Sequence, residues 1–174
     1  MKRVTWIALA ALMPVSVIAA EEPQIYGLHE YVNLHELQVK LPAKLDTGAE
    51  TASLSARNIE VFKKDGGEWV RFQLGLDNPS QAHVLEKPLV RMSYIKRRAG
   101  DREEGDAELY TERPVVAMDI CLGDELQNIE VNLTDRSDFK FPLLIGSTVL
   151  KEMNAAVSPN HKFSAGQPSC GQTS

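Results

Sequence analysis

The sequence predicts an all-β protein, a small closed β-barrel with one short C-terminal helix. Apolar and polar residues alternate in short runs, and a period of two is typical of strands that bury one face. Turn-forming residues separate these runs at regular intervals, as they do in barrels and sandwiches. A helix is suggested only after Gly146, where Ser147 could cap the segment Ser147-Thr148-Val149-Leu150.

The clearest alternating run ends at Asp46, and its apolar positions share one side of the pleat: Val39, Leu41, Ala43 and Leu45. Asp46 therefore emerges where a half-buried strand meets the turn Asp46-Thr47-Gly48-Ala49. Thr47 can donate its hydroxyl to a carbonyl, and Gly48 lacks a Cβ, so a second backbone or a substrate can approach the carboxylate. Asp-Thr-Gly is also an ordinary turn sequence, so the tripeptide alone indicates either a catalytic acid or a structural turn.

The other strands are predicted by the same alternation. A hairpin joins a strand that begins near Ile59 to a strand that runs from Val70 to Leu76, through a turn at residues 63–67. Three later strands carry apolar residues at alternating positions: Val90, Met92 and Tyr94; Val116, Met118, Ile120 and Leu122; and Ile129, Val131 and Leu133. A last apolar run, residues 141–146, ends in glycine.

Residues 1–20 are typical of a secretory signal peptide: a short basic start, an apolar stretch, and cleavage expected after Ala19 or Ala20. The alternative is an uncleaved inner-membrane anchor. An apolar stretch of 17 residues is at the lower limit for spanning a bilayer, and Pro14 interrupts it. We therefore expect a periplasmic or secreted protein with no stable membrane insertion after cleavage.

The mature chain of about 150 residues has the length of one domain. We assign residues 21–159 to this domain and the polar, Gly/Pro/Ser-rich residues 160–174 to a flexible tail. Loss of Lys2 and Arg3 with the signal peptide takes the formal net charge from −5 to −7. A chain this acidic is not expected to bind nucleic acid.

Two cysteines, Cys121 and Cys170, leave two possibilities open. In a chain exported to an oxidising compartment they could form a disulfide bond. Cys121 also lies in an apolar strand pattern, where it could serve as a small buried hydrophobic residue.

The Asp46 turn and the later Leu144-Ile145-Gly146 run with its short helix together resemble the retropepsin-like aspartic peptidases. The chain is most similar to a bacterial family historically labelled "ATP-dependent zinc protease" and now generally considered retropepsin-like. The resemblance covers about residues 26–159 and rests on five segments: 44–49, 69–72, 88–90, 113–115 and 132–136. The sequence departs from the family at Ser147, usually an arginine, and at Ser55, often a histidine.

This resemblance implies an aspartic endopeptidase that hydrolyses peptide bonds as a homodimer. Such enzymes need two carboxylates that share one proton around a water molecule. This sequence has one suitable turn, so a two-fold dimer must bring a second Asp46 opposite the first. The implied catalytic residues are Asp46, Thr47 and Gly48, and the implied substrate-binding residues are Ala49, Leu144, Ile145 and Gly146. A substrate-covering flap is expected at residues 96–106.

No metal or other cofactor is expected. The histidines do not form the His-Glu-x-x-His helix motif of zinc peptidases, and no Gly-Lys-Ser/Thr loop for ATP occurs. The alternative function is a non-catalytic peptide-binding module, a monomeric barrel in which Asp46 only stabilises the turn. Oligomeric state would separate the two hypotheses.

Overall fold

A computed structural model describes residues 22–76, 78, 83–96 and 110–171. The predicted signal peptide and most of the predicted flap, residues 97–106, lie outside these ranges. The elements run in the order β1 (Gln24–Gly27), β2 (His29–Leu34), β3 (Val39–Asp46), β4 (Ala52–Lys64), β5 (Gly67–Leu74), β6 (Val84–Pro88), β7 (Arg91–Lys96), β8 (Tyr110–Leu122), β9 (Glu125–Thr134), β10 (Leu143–Gly146), α1 (Ser147–Glu152) and β11 (Ala155–Ser158).

Six strands close into a barrel, which confirms the predicted fold class. Around the ring, each strand pairs with the next in the order β10, β3, β2, β8, β9 and β4, and β4 pairs back to β10. The predicted alternation in β3, β8 and β9 is confirmed, because their apolar positions fill the core. No helix in the described part of the chain is long and apolar enough to cross a membrane.

The acidic turn connects two strands that flank β10. β3 runs parallel to β10, with Leu45 opposite Ile145 and Asp46 opposite Gly146. β10 also pairs antiparallel with the start of β4, where Leu143 lies opposite Leu54. The last apolar run of the sequence therefore lies between the strands before and after Asp46, and packing of β10 determines where the turn emerges.

The predicted hairpin is confirmed as β4 and β5, but β4 begins at Ala52 rather than near Ile59. Residues 52–56 are buried on both faces inside the ring, including Ser53 and Ser55, although their sequence Ala-Ser-Leu-Ser-Ala alternates in polarity. Beyond them β4 leaves the ring and extends with β5 and β6, which leaves Ile59 and Val61 exposed.

The predicted strand at Val90, Met92 and Tyr94 exists as β7, but its apolar residues do not face the core. β7 pairs with β8 outside the closed ring, and Ser93 is buried while Tyr94 is 61% exposed.

Four strands of the described residues were not predicted from the sequence: β1, β2, β6 and β11. In β2 the reason is plain, because the buried residue Glu30 interrupts the apolar alternation with Val32 and Leu34.

The segment after β11 differs from the expected flexible tail, because specific contacts hold it against the barrel. The carboxylate of Glu30 accepts hydrogen bonds from Ser164 N at 3.0 Å, Ser164 Oγ at 2.7 Å and Ala165 N at 3.1 Å, and from Gly27 N at 2.6 Å. Cys121 and Cys170 form a disulfide bond between β8 and this segment. Polar composition alone could not reveal a buried acceptor more than a hundred residues away in the sequence.

Replacing Glu30 with glutamine is expected to lower the free energy of unfolding by about 2 kcal/mol. An amide keeps the shape but has one acceptor oxygen, so buried N–H donors lose a charged partner. Urea denaturation measures the loss, and limited proteolysis within residues 160–171 should become faster. Glu60→Gln, at an exposed ion pair with Arg71, is the matched control and should change stability by less than about 0.5 kcal/mol. Equal stability of the two variants would contradict this account.

Candidate active site

Asp46 is the last residue of β3, and alternation along the strand explains where its side chain points. Leu45 is fully buried in the core, so the neighbouring Asp46 side chain lies on the other face and is 27% exposed. Its Oδ1 accepts a hydrogen bond from Gly48 N at 3.1 Å, and its carbonyl accepts one from Ala49 N at 3.2 Å. The carboxylate is therefore held by its own turn while part of it faces solvent.

The turn is fastened to the start of α1. Ser147 N donates to Ala49 O at 2.7 Å, and Thr148 N donates to Glu50 O at 3.1 Å. The N-cap of α1 is Gly146, which has no side chain to cap the helix, so the predicted capping role of Ser147 is wrong. Carbonyls of the acidic turn instead accept hydrogen bonds from the first helical N–H groups, because β10 places the helix start beside the turn.

Two glycines at the site have different constraints. A Cβ on Gly146 would lie 2.6 Å from Thr51 C and O and 2.7 Å from Glu50 O, all backbone atoms, so the close crossing of two chain segments requires glycine here. A Cβ on Gly48 would meet only Asp46 Oδ1, at 3.4 Å, among the atoms of the described residues. The space beside the carboxylate at Gly48 can therefore accept atoms from outside this chain.

Lys44 makes an ion pair with Asp46 that the sequence analysis missed. Its Nζ lies 2.8 Å from Asp46 Oδ2. This hydrogen bond lowers the pKa of Asp46 below its usual value, and the Gly48 and Ala49 N–H groups act in the same direction, while partial burial opposes them. Asp46 is consequently ionised at neutral pH. The sequence feature that could have predicted this contact is the i, i+2 spacing of Lys44 and Asp46, which places both side chains on one face of β3.

The seven predicted site residues lie together in the acidic turn and the adjacent end of β10, but they differ in exposure. Thr47 and Gly48 are exposed at the tip of the turn, and Ala49 is half-buried. Leu144 is also half-buried, whereas Ile145 is fully buried in the core. The Ile145 side chain therefore packs beneath the turn and does not line an open surface.

Two arginines that the sequence analysis did not assign to the site lie close to it. Arg136, only 7% exposed, donates from Nε to Phe141 O at 3.1 Å and lies within electrostatic reach of Asp46 and Arg113. Arg113 NH1 donates to Asn132 Oδ1 at 3.3 Å, and its Nε is buried with no hydrogen-bond partner. Burial lowers the pKa of both guanidiniums. Among the described residues neither guanidinium forms an ion pair with a carboxylate, and a buried cation without such a partner is costly.

Further cations surround the same end of the barrel. The His29 ring stacks on Phe141 with a centroid distance of 4.3 Å. Burial, followed by the charges of Lys162, Lys140 and Lys44, lowers the pKa of His29. The surroundings of Asp46 are therefore positively charged although the whole chain has a net charge of −5.

Both arginines, and the Asn132 that Arg113 contacts, lie in segments on which the family resemblance rests. Arg113 lies in segment 113–115, and Asn132 and Arg136 lie in segment 132–136. A charged residue next to an apolar strand segment, as at Arg113 and Arg136, was the sequence feature that could have suggested a role at the site. Asn132 Nδ2 also donates to Ala52 O at 2.6 Å and Thr51 Oγ1 at 3.2 Å, which connects β9 to the start of β4 beside the acidic turn.

Among the described residues, no group of three or more His, Cys, Asp and Glu side chains is arranged to hold a metal ion. Independence of the reaction from metal stays a prediction.

The two positions that depart from the family pattern, Ser55 and Ser147, both make contacts in the structure. Ser55 Oγ accepts a hydrogen bond from Arg136 N at 3.3 Å, and Ser147 contacts the turn through its backbone N–H. A backbone contact of this kind does not depend on the side chain at position 147.

Comparison with known proteins places this geometry in a family. Residues 25–168 match the family model described as "RimB-like: Retropepsin-like aspartic endopeptidase RimB". A crystal structure of a protein of unknown function (DUF785) from Legionella pneumophila is similar, with a TM-score of 0.66 and 35% sequence identity, over 82% of this chain and 98% of that one. The family match extends past residue 159 into the segment that contacts Glu30.

Two relatives are named probable alpha-L-glutamate ligases. The protein from Shewanella pealeana is 31% identical over 146 residues, which are 82% of this chain and 30% of the relative. The protein from Desulfotalea psychrophila is 29% identical over 133 residues, which are 74% of this chain and 27% of the relative. This chain thus spans less than a third of the length of these relatives. Because the family model matches residues 25–168, which are most of the chain, the chain belongs to the RimB-like family of retropepsin-like aspartic endopeptidases.

Proposed function

We propose that this chain is an aspartic-type endopeptidase that works as a homodimer, with one Asp46 from each chain. The observation that carries the proposal is the Asp46 carboxylate itself, held at a strand end, partly exposed, with open space at Gly48. A second Asp46 facing it across a two-fold axis would complete the pair. Thr47, exposed at the tip of the turn, is available to a partner chain.

In the proposed reaction the two carboxylates share one proton. The ionised Asp46 takes a proton from a water molecule, and the water oxygen attacks the scissile carbonyl carbon. The protonated Asp46 donates its proton to the carbonyl oxygen, which forms a neutral tetrahedral diol. As the diol collapses and the C–N bond breaks, the Asp46 that took the water proton gives it to the amine nitrogen, and a diol hydroxyl passes its proton to the other Asp46. The carboxylic acid and the amine then leave, and the acid pair again holds one proton.

We propose acidic, glutamate-containing peptides as substrates. Arg113 and Arg136 offer guanidinium groups that no carboxylate of the described residues neutralises in an ion pair, and His29 is surrounded by lysines. An acidic peptide would satisfy the arginines and be attracted to the positive end of an otherwise acidic protein. The names of the curated relatives, probable alpha-L-glutamate ligases, support the same substrate class.

The mature chain, residues 21–174, offered to a mixed peptide library tests the proposal. New peptide termini should appear, most of them in peptides that contain glutamate, and they should persist with a strong chelator. The rate should follow a bell-shaped pH profile, because only the singly protonated acid pair contains both an acid and a base. Loss of activity on chelation, restored by zinc, would contradict the aspartic mechanism.

Replacing Arg113 with glutamine is expected to lower kcat/KM for a glutamate-rich peptide about 30-fold and to leave a neutral peptide nearly unaffected. The reason is that the substrate's carboxylate would no longer contact the partly buried guanidinium of Arg113. Arg91→Gln is the control, since Arg91 makes an exposed ion pair with Glu130. Equal losses for both peptides would show that Arg113 supports the fold rather than substrate selection.

The alternative remains a monomeric peptide-binding module. The ion pair with Lys44 favours it, because in the single chain this contact already occupies one oxygen of Asp46. Sedimentation of the mature chain at high concentration, with and without an acidic peptide, separates the two functions. A strict monomer under both conditions would favour the binding module.

We also propose that the protein is exported to the periplasm or secreted. The Cys121–Cys170 disulfide supports this location, because such bonds persist mainly in oxidising compartments. Fractionation of cells that express the full chain, with N-terminal sequencing of the mature form, tests both the location and the cleavage site.

A further inference from the structure

We propose that Lys44 is a positioning residue that orients the Asp46 carboxylate and sets the pH range over which the acid pair works. This inference rests on the proposed function. It concerns a residue outside the Asp-Thr-Gly turn, and it makes a prediction about Asp46 that can be measured without any substrate.

The geometry supports this role. Lys44 and Asp46 lie two residues apart on β3, so their side chains leave the strand on the same face. Gly48 N holds Asp46 Oδ1 at 3.1 Å, and Lys44 Nζ holds Oδ2 at 2.8 Å. Both oxygens are therefore held, one by the turn and one by the lysine. The plane of the carboxylate is fixed as long as both contacts persist.

The strands beside β3 keep Lys44 in place. Lys44 lies opposite His29 of β2 and Leu144 of β10 in the sheet register. Other cations at this end include Arg136, whose pKa is affected by the charges of Asp46 and Arg113, and Lys140 and Lys162, which with Lys44 lower the pKa of His29. Lys44 is the cation in hydrogen-bond contact with Asp46, and electrostatic energy falls with distance, so its effect is the strongest.

A cation in contact with Asp46 favours the ionised carboxylate. In a symmetric pair each acid would have its own Lys44, so both proton-dissociation steps of the pair would move to lower pH. The singly protonated form would then be populated under more acidic conditions than without the lysine. Removing Lys44 should move both limbs of the pH–rate profile in the alkaline direction.

The test compares Lys44→Met with Lys44→Arg, which keeps the charge. NMR titration of the Asp46 carboxyl carbon should show a midpoint about one pH unit higher in Lys44→Met, and the pH–rate limbs should move by a similar amount. Lys44→Arg should restore values near wild type. Lys40→Met is the matched control, because Lys40 is exposed on the same face of β3 and contacts Gln167 and Tyr31 instead.

An unchanged Asp46 midpoint in Lys44→Met would overturn the proposal, as would a lower rate at every pH with unmoved limbs and no rescue by arginine. Lys44→Gln provides a second neutral variant if methionine impairs folding. The titration distinguishes this inference from the proposed function. A wild-type protein without peptidase activity would refute the endopeptidase, while a shifted Asp46 midpoint would still establish control of Asp46 by Lys44.

Discussion

Replacing Asp46 with asparagine is expected to lower peptide-bond hydrolysis by about 10³-fold or more while leaving the barrel folded. An amide cannot take a proton from water, so the pair loses its base and its acid in both chains. The fold should persist, because the asparagine oxygen can still accept the hydrogen bond that Gly48 N donates to Asp46 Oδ1 at 3.1 Å in the unsubstituted chain. Release of new peptide termini measures the rate, and circular dichroism checks the fold.

Asp135→Asn is a closely matched control. Asp135 Oδ1 accepts a hydrogen bond from Ser137 N at 2.9 Å, the same i to i+2 arrangement as at Asp46, and these contacts lower the pKa of Asp135. This variant should keep its activity, because Asp135 lacks the Thr-Gly turn and the position beside Gly146. If Asp46→Asn retained comparable activity, Asp46 would be structural and the peptide-binding module would become the better account.

Replacing Gly146 with alanine is expected to lower the free energy of unfolding by about 3 kcal/mol and to remove activity. The new Cβ would lie 2.6 Å from Thr51 C and O, and backbone atoms cannot rotate away as the end of a flexible side chain can. Either β10 or the segment after the acidic turn must move. Movement of either would disturb the hydrogen bond from Ser147 N to Ala49 O at 2.7 Å and hence the position of Asp46.

Gly67→Ala tests whether any added methyl group has this effect. Gly67 is the first residue of β5, and a Cβ there would approach no closer than 3.9 Å, to Lys64 O. Its stability should change by less than about 1 kcal/mol in chemical denaturation. A similar small change for Gly146→Ala would mean that β10 and the turn are less tightly packed than the distances indicate.

The strands that could be predicted well from the sequence are those that bury one face. β3, β8 and β9 keep an apolar residue at every second position because their other face is at least partly polar. In β2 the pattern is broken by Glu30, which is buried at a core position. At the start of β4 the sequence alternates, but Ser53 and Ser55 are buried instead of exposed. A buried polar residue is tolerated when partners satisfy it, and for Glu30 those partners come from residues 164 and 165.

The acidic turn could be found from the sequence, because the residues that define it are neighbours in the chain. An acid, a hydroxyl and a glycine in succession at the end of an alternating strand are visible in four residues. Lys44 also lies close in sequence, but its contact depends on side-chain direction. Arg113 and Arg136 could not be assigned to the site, because only the pairing of β8, β9 and β4 brings Arg136 near Asp46 and Arg113 near Arg136.

The sequence by itself determined the all-β class, the position of the acidic turn and the apolar run that follows it. Local periodicity encodes these features, and neighbouring residues are enough to express them. Tertiary structure alone decided that Gly146 lies opposite Asp46, that Cys121 bonds Cys170, and that the buried Arg136 lies within electrostatic reach of Asp46. These contacts join residues far apart in sequence, and they form only because closing six strands into one ring fixes which distant backbones become neighbours.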